Sequence, residues 1–248
     1  MKKILVEICC GSADDVFQAK LAGADRVELN SGMFLGGLTP SIGELIVSRR
    51  AGLPIMAMVR SREGGFCYTD AEFETMLVDA AELIKAGADG IVFGFLHEDG
   101  TVDKARCSKM MDEIGDKDSV FHRAIDVVPD WKKALDTLIS LKVKRVLTSG
   151  QMPSVYFGAQ TVRQMIEYAA GRIEILPGAG IKLENVLDII TLTGTTQVHA
   201  SMSRVARDNS TAANPAIHYG GALYPPEDRY NTADADKIRL LVDMVSKP

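Results

Sequence analysis

Long apolar runs are missing from this chain: none approaches the roughly 20 residues that a membrane-spanning helix needs. Lys3 is followed by a short apolar run, but Glu7 interrupts it and no small-residue cleavage site follows a proper hydrophobic segment, so a signal peptide is not expected. The expected location is the cytoplasm. Clusters of Lys and Arg are also missing, and the net charge is −5, which argues against nucleic acid as a partner. Cysteine is scarce, with 4 in 248 residues and no Cys-x-x-Cys spacing, so a disulfide framework is excluded. No Gly-x-Gly-x-x-Gly turn follows the first apolar strand, where Cys10-Gly11-Ser12 stands instead. That weighs against an open dinucleotide-binding sheet. No lysine occupies a strand end, since Lys144 precedes the sixth strand and Lys182 opens the seventh helix. A Schiff-base aldolase is therefore disfavoured.

What the chain does contain is one repeated unit: a short apolar strand, a polar turn and an amphipathic helix. Strands are predicted at Ile4–Ile8, Arg26–Leu29, Ile55–Val59, Gly90–Phe93, Val120–His122, Arg145–Thr148, Glu174–Leu176 and Gln197–His199. Helices are predicted at Ala13–Ala22, Ser41–Ala51, Asp70–Ala86, Lys104–Ile114, Trp131–Leu141, Val155–Ala170, Leu183–Leu192 and Asp234–Val245. The phrases AGADRVEL and AGADGIVF, beginning at Ala22 and Ala86, mark equivalent joints where a helix ends on glycine and the next strand begins. Alternation of this kind makes a parallel sheet with right-handed crossovers. Eight units predict a single-domain (β/α)8 TIM barrel over residues 1–248, with 202–232 as a long irregular lid or interface segment.

Active sites of such barrels lie at the C-terminal ends of the strands. Glu7 and Glu28 sit inside apolar strands, where a carboxylate is costly unless it is paired or ligating. Pairing with Arg60 or Arg123 would merely close the barrel; the functional alternative joins them with His122 and His199 as metal ligands or acid/base groups. Arg60, Arg62, Ser149, Gly150, Gly178 and Gly180 suggest an anion site, because glycine lets backbone N–H groups approach an oxyanion. Cys9, Cys10, Cys67, Met56 and Met58 could offer sulfur to Cu(I), although Cys9 and Cys10, being adjacent on a strand, face opposite ways and Met56 and Met58 have a strand spacing suited to barrel packing.

The segments VEICCGS, GADRVEL, GGLTPS at Gly36–Ser41, FHRAID at Phe121–Asp126, LTSGQ at Leu147–Gln151, GAGI at Gly178–Ile181 and VHAS at Val198–Ser201 resemble the copper homeostasis protein family CutC. The resemblance runs from residue 4 to about 201 and implies a TIM barrel, a cytoplasmic protein and a role in copper handling. It further implies direct Cu(I) binding through cysteines corresponding to Cys9, Cys10 and Cys67. Many members carry a cysteine where this chain has Asn30. The residues themselves leave a second expectation open, a barrel enzyme acting on a small anionic, phosphorylated or sugar-like molecule. A homo-oligomer is expected in either case.

Overall fold

Residue by residue, β1 (Leu5–Cys10) sets the pattern: Val6, Ile8 and Cys10 point outward into apolar packing, while Glu7 and Cys9 point inward. The computed structural model describes residues 3–220 and 226–246. Seven further parallel strands follow: β2 (Arg26–Leu29), β3 (Ile55–Met58), β4 (Gly90–Phe93), β5 (Asp118–Phe121), β6 (Arg145–Thr148), β7 (Glu174–Pro177) and β8 (Gln197–Ala200). Helices α1 (Ala13–Leu21), α2 (Ile42–Ser48), α3 (Asp70–Ala86), α4 (Lys104–Ile114), α5 (Trp131–Ser140), α6 (Val155–Ala169) and α7 (Val186–Thr193) alternate with them. The strands run in the order β7-β6-β5-β4-β3-β2-β1-β8, so the sheet wraps into a nearly closed TIM-type barrel. At the seam between β8 and β7 a side chain crosses, Gln197 Nε2 donating to Glu174 Oε2 at 3.4 Å.

The predicted strands and helices are all present, with ends that shift by a few residues, as terminal assignments do. Ser12 and Ser41 cap α1 and α2 by accepting from the N–H groups of Asp15 and Glu44. The cap of α3 is Thr69, in a reciprocal box with Glu72, and Asp70 is the first helical residue. Gly23 and Gly87 close the two repeated joints at φ of 86° and 103°, a left-handed backbone that favours glycine.

The expectation of an irregular segment at 202–232 needs correction. Gly221 and Pro225 lie outside the described residues, but the stretch contributes two strands, β9 (Ser203–Arg207) and β10 (Arg229–Ala233), paired antiparallel. Most of their residues are exposed, so no apolar alternation advertises the ribbon. Thr232 Oγ1 and the Ala233 N–H both donate to the buried Asp15 carboxylate, which anchors the ribbon to α1. Helix α8 (Ala235–Ser246) then closes the chain's packing. Among the described residues no helix is long and apolar enough to cross a membrane.

The barrel interior is divided. Met56, Met58, Val92, Val120, Leu147 and Leu176, from β3 to β7, form a small apolar cluster inside the ring. The wall made by β8, β1 and β2 is polar, carrying Gln197, His199, Glu7, Cys9, Arg26, Glu28 and Asn30, and all but the half-buried Cys9 are buried. Arg26 pairs through Nε with Glu7 and donates from Nη2 to Gln197 Oε1 at 3.0 Å. Arg145 pairs with Glu174 at 2.8 Å and Asp118 at 3.5 Å. These groups extend a charged layer across the barrel; neither carboxylate takes the pairing with Arg60 or Arg123 that the sequence left open, since Glu7 pairs with Arg26 and Glu28 accepts from Cys9 and Asn30.

One close approach shapes the loop after β6. Gly150 takes φ of 73° and rests on Gly158 of α6, where a Cβ would run into the Ser149 carbonyl oxygen. Gly158→Ala is therefore expected to cost about 1–3 kcal/mol, the usual range for overpacking, measured as a lowered urea midpoint. An unchanged midpoint would show that the loop yields freely.

Candidate functional site

The C-terminal ends of the strands surround a cavity of about 730 Å³. Its polar wall is built by register. Cys9 on β1 lies beside Glu28 on β2, and Glu7 beside His199 on β8, so the inward side chains of three neighbouring strands meet. Cys9 Sγ donates to Glu28 Oε2 at 3.5 Å, and Asn30 Nδ2 donates to the same oxygen at 2.9 Å. His199 Nδ1 contacts Glu7 Oε1 at 2.7 Å, leaving Nε2 to face Glu28 Oε2 at 3.9 Å. Cys9, Glu28 and His199 each offer a ligand atom, and these atoms lie within 4.8 Å of one another.

Burial and charge oppose each other here. Burial alone would push the Glu7 carboxyl up, but the His199 hydrogen bond and the Arg26 charge outweigh it and hold its pKa at about 2. Burial would also lower His199, but the neighbouring Glu28 and Glu7 outweigh it and raise its pKa, which favours the imidazolium form opposite the Glu7 carboxylate. Burial, followed by the Glu28 charge, raises the Cys9 thiol well above the ordinary value, and Cys9 is a protonated thiol near neutral pH.

Across the mouth stands His122, whose pKa burial and then the Arg60 charge lower to about 3. Its Nδ1 accepts from the Ala124 N–H at 3.1 Å, which leaves the proton of the neutral ring on Nε2. That Nε2 is buried and has no hydrogen-bond partner among the described residues, and the same holds for Glu28 Oε1 and Arg60 Nε. Phe66 packs against the His122 ring at 4.7 Å and beneath the Arg60 guanidinium at 5.5 Å. Arg123, Lys182 and Lys237 add positive charge to the lining.

The structure separates the predicted residues. Cys9, Glu28, His122, His199, Arg60 and Gly180 line the cavity, and Glu7 stands behind His199. Cys10 does not join Cys9: its side chain is fully buried in the outer apolar layer, with Sγ 3.6 Å from the Ile8 carbonyl oxygen. Cys67 is exposed and contributes nothing to the lining, so the three cysteines form no common sulfur site. Arg62 is occupied by Glu72 and the carbonyls of Glu63, Gly65 and Cys67. Ser149 is held by the Asp126 carboxylate, and Gly150 serves the packing against α6. Gly178 passes beneath Leu147 and His199, where a Cβ would meet Leu147 at 2.7 Å. Arg60 itself donates from its terminal nitrogens to the carbonyls of Leu35, Gly37 and Gly64, so it is chiefly a clamp on two loops.

Sequence reasoning missed Arg26, Met33, Phe66 and Lys237. Arg26 was visible as a charge at the start of a buried strand, the same signal that flagged Glu7 and Glu28. Met33 and Lys237 reach the mouth only through the tertiary course of the chain and left no local pattern.

The CutC family model matches residues 4–204. A CutC family protein of Treponema denticola is 54% identical over 98% of this chain and 99% of its own length. A human copper homeostasis protein cutC homolog is 40% identical over 96% of this chain and 87% of its own. The crystal structure of CutC from Streptococcus agalactiae superposes with a TM-score of 0.77 at 31% identity, covering 80% of this chain and 98% of that one. Fold, strand-end motifs and relatives over nearly the full length agree, and the chain belongs to the CutC family.

Proposed function

We propose that this protein serves copper homeostasis by taking up Cu(I) at the inner wall of the barrel mouth. Cys9 Sγ is the anchoring donor and His199 Nε2 the nitrogen donor. The convergence of Cys9, Glu28 and His199 within 4.8 Å carries this reading. Thiolate and imidazole suit a soft monovalent ion. Uptake requires Cys9 to release its thiol proton and His199 its Nε2 proton. Glu28, with Oε2 near both groups and Oε1 without a partner among the described residues, can receive one. Glu7 keeps the Nδ1 proton and so fixes the ring. The proposal places the chain in the cytoplasm, where a reducing environment keeps Cys9 a thiol. In anaerobic competition against a chromophoric Cu(I) chelator, the chain is expected to take one equivalent, with affinity rising as pH rises because protons leave. Absence of uptake would sink the reading.

The size of the cavity favours a second reading, a small anionic molecule, phosphorylated or sugar-like. One metal ion leaves most of the 730 Å³ unused, and Arg60 Nε, His122 Nε2 and Glu28 Oε1 are buried groups without hydrogen-bond partners among the described residues. Glu28, His122 and the Glu7–His199 pair would then act on its protons. The His122 ring is expected to remain the neutral Nε2–H form from about pH 5 to 8 in nitrogen NMR, unlike an ordinary histidine. A bound sugar phosphate or small carboxylate would shift its Nε2–H resonance. No shift across a panel of such compounds would exclude this reading.

A further inference from the structure

The wall that holds Cys9 carries a second sulfur that the ligand cluster of thiol, carboxylate and imidazole leaves out. Met33 lines the same cavity, and its Sδ lies 3.9 Å from Cys9 Sγ. Two sulfurs bound to one ion at about 2.3 Å each, and spread at about 120°, stand about 4 Å apart. The two sulfur atoms already have the separation of donors sharing a three-coordinate ion.

Met33 is held there by more than side-chain packing. It opens a 3-10 turn, Met33–Leu35, flanked by Gly32 and Gly36 at φ of 53° and 88°. Arg60 Nη1 donates to the Leu35 and Gly37 carbonyls at 3.1 Å each, tying the turn to the end of β3. On its inner side the Met33 side chain lies over Gly11, where a Cβ would sit 2.7 Å from Met33 Cγ. Gly11 thus leaves room for the thioether beside Cys9. Arg60, expected from sequence to bind an anion, works here as a positioning residue for the turn.

We infer that Met33 Sδ is the second sulfur ligand of Cu(I), completing with Cys9 Sγ and His199 Nε2 a three-coordinate site of two sulfurs and one nitrogen. This rests on the copper reading of the mouth and adds the thioether that makes the donor set soft. Thioether donors select monovalent copper, whereas carboxylate suits harder ions, so Met33 gives the site its preference and leaves Glu28 to the protons.

The test compares the wild-type chain with Met33→Leu, which keeps the apolar volume and removes the sulfur. Cu(I) alone is the probe, measured anaerobically by chelator competition and by X-ray absorption at the copper edge. The expected result is one Cu(I) in both proteins, an affinity roughly 10- to 100-fold weaker in Met33→Leu, and a sulfur count falling from two to one. Equal affinity and sulfur count in the two proteins would overturn the role of Met33 while leaving Cys9 as the anchor. A wild-type chain that takes no Cu(I) would overturn the copper reading and this inference together. Far-ultraviolet circular dichroism of the variant, unchanged because Met33 is 40% exposed, separates loss of the ligand from loss of the fold.

Discussion

Cys9→Ser is expected to abolish stoichiometric Cu(I) binding, and Cys10→Ser to keep it. The two residues are neighbours in sequence and differ in what the strand does with them, because successive side chains leave a strand on opposite faces. Cys9 enters the barrel and lines the cavity with Glu28, Met33 and His199. Cys10 enters the layer between barrel and helices and is wholly buried there. Burial, and after it the Asp15 charge, raises the Cys10 thiol well above its ordinary value, which makes it an unreactive packing group. Serine at position 10 puts a hydroxyl into that apolar layer at a cost of about 1–3 kcal/mol. Serine at position 9 faces a polar cavity and costs little stability. Two measurements on each variant check this: Cu(I) uptake by chelator competition and the urea midpoint. Copper lost with Cys10→Ser at an unchanged midpoint, or retained with Cys9→Ser, would contradict the assignment. A double substitution could not make the distinction, because it would merge a lost ligand with a damaged core.

The barrel was legible because its signal is repetitive. Each apolar strand and capped helix reports on itself through periodicity, and the twin joints at Gly23 and Gly87 reuse one turn that needs a left-handed glycine. The strand-end rule then located the mouth, and Glu7, Glu28, His122 and His199 do gather around it. Legibility failed where a residue's role depends on its partner. Arg60 and Arg62 are alike in sequence, but the first clamps two loops by their carbonyls and the second ends on the surface with Glu72. Ser149, Gly150 and Gly178 look like an anion cradle and are packing and loop-fixing residues. The β9–β10 ribbon escaped notice because exposed strands need no apolar alternation.

Arg26→Leu is expected to destabilise the fold by about 3–5 kcal/mol, the cost of leaving one member of a buried ion pair without its partner. Glu7 is 2% exposed, and in the variant it would keep the His199 hydrogen bond and the more distant Arg145 charge. The pH dependence follows from the two shifts. Glu7 has a folded pKa of about 2 against 4.5 when unperturbed, so its contribution is complete above about pH 4.5 and is lost as pH falls from there through about 2. His199 is raised above 6.5, so its contribution is present below that value and is lost as pH rises through the folded value. The pair therefore stabilises most between about pH 4.5 and 6.5. Removing Arg26 lets burial raise the Glu7 carboxyl, and acid unfolding should begin at higher pH in the variant than in the wild type. Urea unfolding across this range would show both effects. Adding Glu7→Gln to Arg26→Leu tests the cause: a neutral amide leaves no buried anion, so the double variant should recover part of the lost stability. If the double variant is less stable than Arg26→Leu, the pair is not what sets the penalty, and packing of the arginine stem against the barrel floor takes its place.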